Sequence, residues 1–183
     1  MDTTGPEPQI EHWTSDDLSG HRDEVLDVYA RAYRERLTGP FYTPNRYWSR
    51  LEMYAARDTF AMVAAYAAGE LVGYALGYGL PSSTRWWIDL QTDRPAAFFV
   101  EDGTRTFALN ELVVAPDRRR GYGRMLHDAL LNSRPEERAA LLVRPDNPAS
   151  ALYRKLGWQE IGRQQPFPDS PTFRSMVLPL TTR

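Results

Sequence analysis

Three consecutive arginines, Arg118, Arg119 and Arg120, run into Gly121-Tyr122-Gly123-Arg124. Residues of these types at this spacing can hold a phosphate. Glycine lets the backbone approach a ligand closely, and guanidinium groups pair with phosphate oxygens. The free N–H groups at the start of a helix point outward, at the positive end of its dipole. The bland alternative is a solvated basic turn, which a short basic run usually is. Two glycines opening a helix directly after a strand, with an arginine three residues before the first, favour the phosphate. Other phosphate fingerprints fit less well. No lysine follows Gly121 or Gly123 as a P-loop requires, and Leu126 stands where a dinucleotide fingerprint needs its third glycine.

Such a loop has to be positioned by a strand before it and a helix after it. Phe107–Val114 is apolar and β-branched enough for the strand, and Ala115-Pro116-Asp117 stops it, because proline donates no ladder hydrogen bond. Met125, Leu126, Ala129 and Leu130 then repeat at helical spacing. Upstream, helices are predicted over 22–37 and 44–57, the second with Pro44 near its start. Residues 59–67 and 71–79 read as a hairpin turned by Ala68-Gly69-Glu70. Ile10–Trp13 suits a first strand, Thr14–Asp17 a helix cap, and residues 1–9 a disordered start. Downstream, Ala139–Val143 is a buried-type strand. Asn147 as N-cap and Pro148 as the first helical residue open a helix that Gly157 closes. Residues 158–163 and 173–180 are the last strands. Residues 80–104 form a long connection that pairs aromatic rings with carboxylates, either an acceptor-binding loop or an arm packed on the domain or a dimer partner.

Composition narrows the function classes. A chain of 183 residues with 42% hydrophobic content suits one folded domain over residues 10–183. The net charge of −2 makes the arginine run a local feature and gives no general basis for nucleic-acid binding. There is no cysteine, hence no disulfide and no thiol nucleophile. His12, His21 and His127 lie too far apart for metal-ligand spacing, so no metal is expected. No run of membrane-spanning length occurs, and a cytoplasmic location is expected. The arginine- and alanine-rich, lysine-poor composition points to a GC-rich bacterial genome.

Arg118-x-x-Gly121-x-Gly123 resembles the Arg/Gln-x-x-Gly-x-Gly/Ala signature of the GNAT superfamily, the acetyl-CoA-dependent N-acetyltransferases. Ala151-Leu152-Tyr153-Arg154-Lys155-Leu156-Gly157-Trp158 resembles its second motif, Leu-Tyr-x-Lys-x-Gly-Phe. The resemblance covers roughly residues 59–180 and is specific at these two motifs. It implies an α/β GNAT fold, in which a mixed, mostly antiparallel sheet splays at the 107–114 strand with helices on both faces. Acetyl-CoA is then the implied co-substrate. Arg119, Arg120, Gly121, Tyr122, Gly123 and Arg124 would hold its pyrophosphate, and Val113 and Val114 would offer backbone groups to the pantetheine arm. Two departures stand. Pro116 to Gly121 is one residue shorter than the usual Pro-x-x-Arg-x-x-Gly, which leaves open which of Arg118, Arg119 and Arg120 meets phosphate. Asp146, not Asn147, stands seven residues before the tyrosine, with Asn147 favoured as cap and pantetheine contact.

Acetyl transfer to an amine needs a deprotonated amine, a stabilised thioester oxygen and a proton for the departing thiolate. The resemblance places Glu111 as the base candidate, against the alternative of a solvent-facing or arginine-paired carboxylate. It places Tyr153 as the acid candidate, against a tyrosine that merely packs its ring. A glutamate partly buried among Leu109 and Leu112 would have a raised pKa. Trp86, Trp87 and Tyr42 are the candidate acceptor-lining rings. The implied activity is transfer of acetyl to a primary amine of a small molecule, by direct attack in a ternary complex, in a monomer or homodimer. A non-catalytic acyl-CoA sensor and a transferase of longer acyl or aminoacyl groups are the rivals.

Overall fold

A computed structural model describes residues 8–118 and 121–180 of the chain. Most of the expected disordered start, residues 1–7, and two of the loop arginines, Arg119 and Arg120, lie outside the described residues. The strands are β1 (Gln9–Trp13), β2 (Ala61–Ala67), β3 (Glu70–Gly79), β4 (Thr106–Val114), β5 (Arg138–Val143), β6 (Gln159–Gln164) and β7 (Phe173–Pro179). The helices are α1 (Ser15–Gly20), α2 (Arg22–Ala32), α3 (Pro44–Ala55), α4 (Tyr122–Leu131) and α5 (Ala149–Lys155). The strands form one seven-stranded mixed sheet in the order β1-β2-β3-β4-β5-β7-β6, flanked by helices. β4 and β5 are parallel, while β1–β2, β2–β3, β5–β7 and β6–β7 are antiparallel. The mixed, mostly antiparallel sheet expected from the sequence is therefore present. The parallel register runs only from Thr106↔Arg138 to Ala108↔Ala140, whereas β5 stays paired with β7 as far as Val143.

The chain divides into two compact units, one comprising residues up to Tyr78 with Glu111–Asn132, the other Gly79–Asn110 with the residues from Ser133 onward. The first unit is built on an apolar cluster in which α2 and α3 contribute Val25, Val28, Tyr29, Tyr47, Trp48 and Leu51, and the strands contribute Met62, Ala64, Tyr74, Leu76 and Val113. α1 begins with a reciprocal cap: Asp17 N–H donates to the Thr14 hydroxyl and Thr14 N–H to the Asp17 carboxylate, which satisfies two donors at the helix start. α2 ends at Ala32 instead of 37. Tyr33 leaves helical geometry at φ −111 and ψ 20, and a 3-10 turn over Arg34–Arg36 follows. Tyr33 and Leu37 still pack on the cluster, so the apolar spacing continues beyond the α-helix. The hairpin turn places both Ala68 and Gly69 at positive φ, the handedness that matches strand twist.

Gly73 of β3 fixes how closely β4 and α4 approach. A Cβ there would lie 2.8 Å from the Val113 carbonyl and 3.1 Å from a methyl of Leu126. Backbone on one side leaves no room to yield. Gly73→Ala is expected to cost about 1–3 kcal/mol through overpacking, read as a lower urea midpoint with an unchanged m-value; an unchanged midpoint would show that the contact relaxes freely.

The second unit centres on Ala140, Ile161 and Val177, covered by Trp86, Trp87, Leu90, Phe98 and Phe99 from the 80–104 connection. That connection is a packed arm. Its Gln91 exchanges two backbone hydrogen bonds with Arg163 of the outermost strand, at 2.9 and 3.2 Å. Thr92 Oγ1 donates to the Ile161 carbonyl at 2.6 Å, and Gln164 Nε2 to the Trp86 carbonyl at 2.8 Å. Gly162 sits where β6 changes register, and a Cβ there would fall on the Gln91 carbonyl. Beneath the arm, buried Arg138 pairs with buried Glu101 at 2.9 Å, and Thr106 Oγ1 donates to the same carboxylate at 2.7 Å.

Candidate active site

In the first unit, β4 ends on a hydrogen bond from Ala115 N–H to the Val72 carbonyl, 2.9 Å. A 3-10 turn over Pro116–Arg118 follows. Asp117 is tied to Arg31 at 2.8 Å, which holds its carboxyl below the usual carboxylate range. Arg118 lies 3.5 Å from Asp117 and 3.8 Å from Glu70, so carboxylates already attend that arginine. Gly121 adopts φ +83 and starts α4 with no side-chain cap. The intrahelical bond from Met125 N–H to the Gly121 carbonyl, 3.1 Å, leaves the earlier N–H groups of Tyr122, Gly123 and Arg124 without helical partners. No acidic residue stands in this first turn. A left-handed glycine, uncapped donors and an acid-free first turn fit an anionic ligand such as a pyrophosphate. The Arg124 side chain is largely exposed, 3.4 Å from Asp128.

Glu111 lies on the same face of β4 as buried Val113, since side chains two apart share a face. Glu111 keeps some exposure, yet surrounding protein desolvates its carboxyl and pushes its pKa up to about 7, with the positive charge of Arg50 pulling the other way. No hydrogen bond or ion pair ties this carboxylate to another described residue. Its charge in turn pushes up the hydroxyl pKa values of Tyr29, Tyr47 and Tyr74, where burial is the leading cause. These tyrosines form an ordered group. Tyr47 and Tyr74 share a buried hydroxyl–hydroxyl hydrogen bond of 2.8 Å. The Tyr29 ring stacks on Tyr47 at 3.7 Å, and its hydroxyl donates to the Tyr42 carbonyl at 3.0 Å. Arg50, 8% exposed, sits over the rings of Phe41 and Tyr47 at 4.7 and 5.4 Å and donates to the Phe41 carbonyl at 3.2 Å. Tyr42 itself is half-buried and stacks on Tyr33 at 5.7 Å.

Sequence reasoning missed Arg50, Tyr74 and the roles of Tyr29 and Tyr47. A signal was available. Arg50 falls three residues after Tyr47 and four before Tyr54, so it interrupts the apolar stripe of α3 on its buried side.

The second unit carries Tyr153, Asn147, Trp86 and Trp87. α5 begins at Ala149 with Pro148 in the N-cap position, one residue later than expected, and Asn147 Oδ1 accepts from Ala149 N–H at 2.9 Å just ahead of it. The helix ends in a Schellman closure. Trp158 N–H donates to the Tyr153 carbonyl, Gly157 N–H to that of Arg154, and Gly157 takes φ +94. The Trp158 ring meets the Tyr153 ring edge-on at 5.8 Å. Tyr153 is buried and its ring is thus held by the helix terminus. Trp86 and Trp87 belong to the aromatic cover over Ala140, Ile161 and Val177, and Trp87 Nε1 donates to Glu101 at 3.0 Å.

Among the described residues, no group of three or more His, Asp or Glu side chains is placed to hold a metal, and no helix is long and apolar enough to cross a membrane.

Comparison with known proteins agrees with the sheet. A GCN5-like protein acetyltransferase of Mycobacterium tuberculosis is 29% identical, the match covering 85% of this chain and 89% of that protein. A solved structure from Pyrococcus horikoshii superposes with a TM-score of 0.68 at 20% identity, covering 96% of this chain and 99% of that one. The ribosomal-protein-S18-alanine N-acetyltransferase of Escherichia coli superposes with a TM-score of 0.63 at 19% identity, covering 96% and 95%. At these identities the structural likeness speaks for the fold. The model described as the acetyltransferase (GNAT) family matches residues 22–158, most of the chain, and the chain therefore belongs to the GNAT family and is an N-acetyltransferase.

Proposed function

We propose that the protein moves an acetyl group to a primary amine of a small molecule by direct attack in a ternary complex. The observation that carries this reading is Glu111, a desolvated carboxylate with no hydrogen-bond partner among the described residues and a pKa of about 7. A base of that strength takes a proton from an ammonium group near neutral pH. Acetyl-CoA supplies the acetyl thioester, whose carbonyl the amine attacks and whose sulfur leaves. The N–H groups of Tyr122, Gly123 and Arg124, with Gly121, Arg119 and Arg120, hold the pyrophosphate. Val113 and Val114 meet the pantetheine through their backbone, and Asn147 serves as a contact. The Tyr153 hydroxyl gives a proton to the leaving sulfur. Tyr42 lines the acceptor side, and we read Trp86 and Trp87 as anchors of the arm, because their rings are committed to its core.

A protein amine is the second reading, favoured by the name of the 29% identical mycobacterial relative. One experiment tests both. Free thiol is measured with acetyl-CoA against a library of small amines and a set of peptides, for wild type and Tyr153→Phe. Turnover with small amines that falls roughly 10²-fold in Tyr153→Phe supports the proposal. Turnover with peptides alone moves the acceptor to protein, and an unaltered Tyr153→Phe removes the acid role.

A further inference from the structure

The second unit carries a group of arginines that acetyl transfer does not use. Glu160 of β6 is approached by three guanidinium groups from three elements: Arg174 of β7 at 3.6 Å, Arg154 of α5 at 3.8 Å and Arg163 of β6 at 3.8 Å. All three distances exceed hydrogen-bonding length. One carboxylate therefore holds three cations loosely and neutralises only one of them. Arg174 is the least exposed of the three at 18%, and its Nε, the atom that lies 3.6 Å from Glu160, is hidden from solvent and makes no hydrogen bond among the described residues. A buried donor at that distance from its counter-charge falls short of the hydrogen bond that such groups normally make. Beside Glu160 opens a recess of about 530 Å3 lined by Asp93, Arg94, Pro95, Glu160 and Ile161. Arg94 is held over the Phe98 ring at 5.5 Å.

We propose that this cluster is a binding site for a phosphate dianion, either free or carried as a phosphomonoester whose organic part occupies the recess. Several features support it. Two strands and a helix, not loops, fix the guanidinium groups. Guanidinium is the side chain best matched to phosphate oxygens, through paired N–H donors. The excess charge of the three arginines over Glu160 suits a dianion. Glu160 acts as the internal counterion that keeps the arginines gathered when no ligand is bound. A purely structural ion-pair network makes the opposite prediction for Glu160: its loss should weaken the cluster and bring no new affinity.

The test uses the full chain with the 118–124 loop saturated by coenzyme A, so that added phosphate cannot report on that loop. Inorganic phosphate and glycerol 3-phosphate are titrated separately, against sodium chloride at matched ionic strength to remove screening. The Nε–H resonances of Arg154, Arg163 and Arg174 are followed by NMR. The expected result is saturable movement of these signals. Arg174→Gln should weaken binding roughly tenfold, and Glu160→Gln should tighten it roughly threefold to tenfold. Tighter binding of the ester than of phosphate identifies the recess as part of the site, and equal binding identifies free phosphate. Movement no larger than in chloride overturns the proposal. So does a Glu160→Gln variant that stays folded by circular dichroism and gains no affinity. Should Arg174→Gln fail to fold, Arg163→Gln gives the same reading from the exposed side.

Discussion

Replacing Glu111 by glutamine is expected to lower turnover by roughly 10²- to 10⁴-fold and, above pH 7, to make the fold more stable. Both effects come from one cause. The carboxyl is desolvated on β4, and only Arg50 offsets the cost of ionising it. Raising its pKa from the ordinary 4.5 to about 7 corresponds to roughly 3 kcal/mol, taken as an upper figure because the group keeps some exposure. The direction follows from proton linkage. The folded state binds this proton more tightly than the unfolded state, so the contribution is complete below about pH 4.5 and is lost as pH rises through about 7. Glutamine never ionises and escapes that loss. Urea denaturation at pH 5 and pH 8 should show wild type losing stability between the two, by more than the variant does. The wild-type rate should rise with pH through a midpoint near 7 and level off above it, and that limb should vanish from the residual rate of the variant. A variant as active as wild type would remove the base assignment. Equal pH sensitivity of stability in both would show that the carboxyl is better solvated than its surroundings indicate.

Arg138→Met is expected to cost about 3–5 kcal/mol, because it leaves a buried carboxylate without its counter-charge. Arg138 is 7% exposed and Glu101 is 7% exposed. Arg138 Nη2 donates to Glu101 at 2.9 Å and to the Phe98 carbonyl at 2.7 Å, its Nε donates to Thr106 Oγ1 at 2.8 Å, and its guanidinium lies 4.4 Å from the centre of the Phe98 ring. Burial pushes its pKa down and the Glu101 carboxylate pulls it back up, as expected when desolvation and pairing compete. The second carboxylate oxygen of Glu101 is buried without a hydrogen-bond partner among the described residues, so the pair is not fully satisfied even in wild type. Replacing both residues, Arg138→Met with Glu101→Leu, should therefore recover most of the loss. The check is a double-mutant cycle by chemical denaturation. A double variant as unstable as Arg138→Met alone would show that packing around Trp87 and Phe98, and not the stranded charge, dominates.

The parts of this molecule that could be read from its sequence are those set by local backbone chemistry. Pro44 opening α3, the glycine at the end of α5, the Ala68-Gly69 turn and the glycine-led start of α4 all depend on neighbours within about five residues, and the structure contains each of them, while the start of α5 falls one residue later than Asn147 and Pro148 signalled. Thr43 adds a hydroxyl cap to α3 that the proline had signalled only indirectly. The Glu111 surroundings were not legible in the same way. Tyr29, Tyr47 and Tyr74 come from two helices and a strand, and a stripe of aromatic residues looks the same whether its hydroxyl groups meet one another or water. The 80–104 segment was ambiguous because its rings have no period. What orders it is pairing with β6, more than sixty residues away in sequence, and a glycine whose missing side chain admits the Gln91 carbonyl.

That docking has a consequence for the protein's solubility. The outermost strand of an open sheet presents unpaired backbone donors and acceptors that can recruit another chain. Here the arm lays Gln91 along β6 and covers part of that rim with its own backbone. The arm therefore also acts as a guard against cross-strand aggregation. Trimming it to obtain a minimal catalytic scaffold would uncover Ile161 and Val177 together with a bare strand rim, the combination from which fibrillar assembly starts.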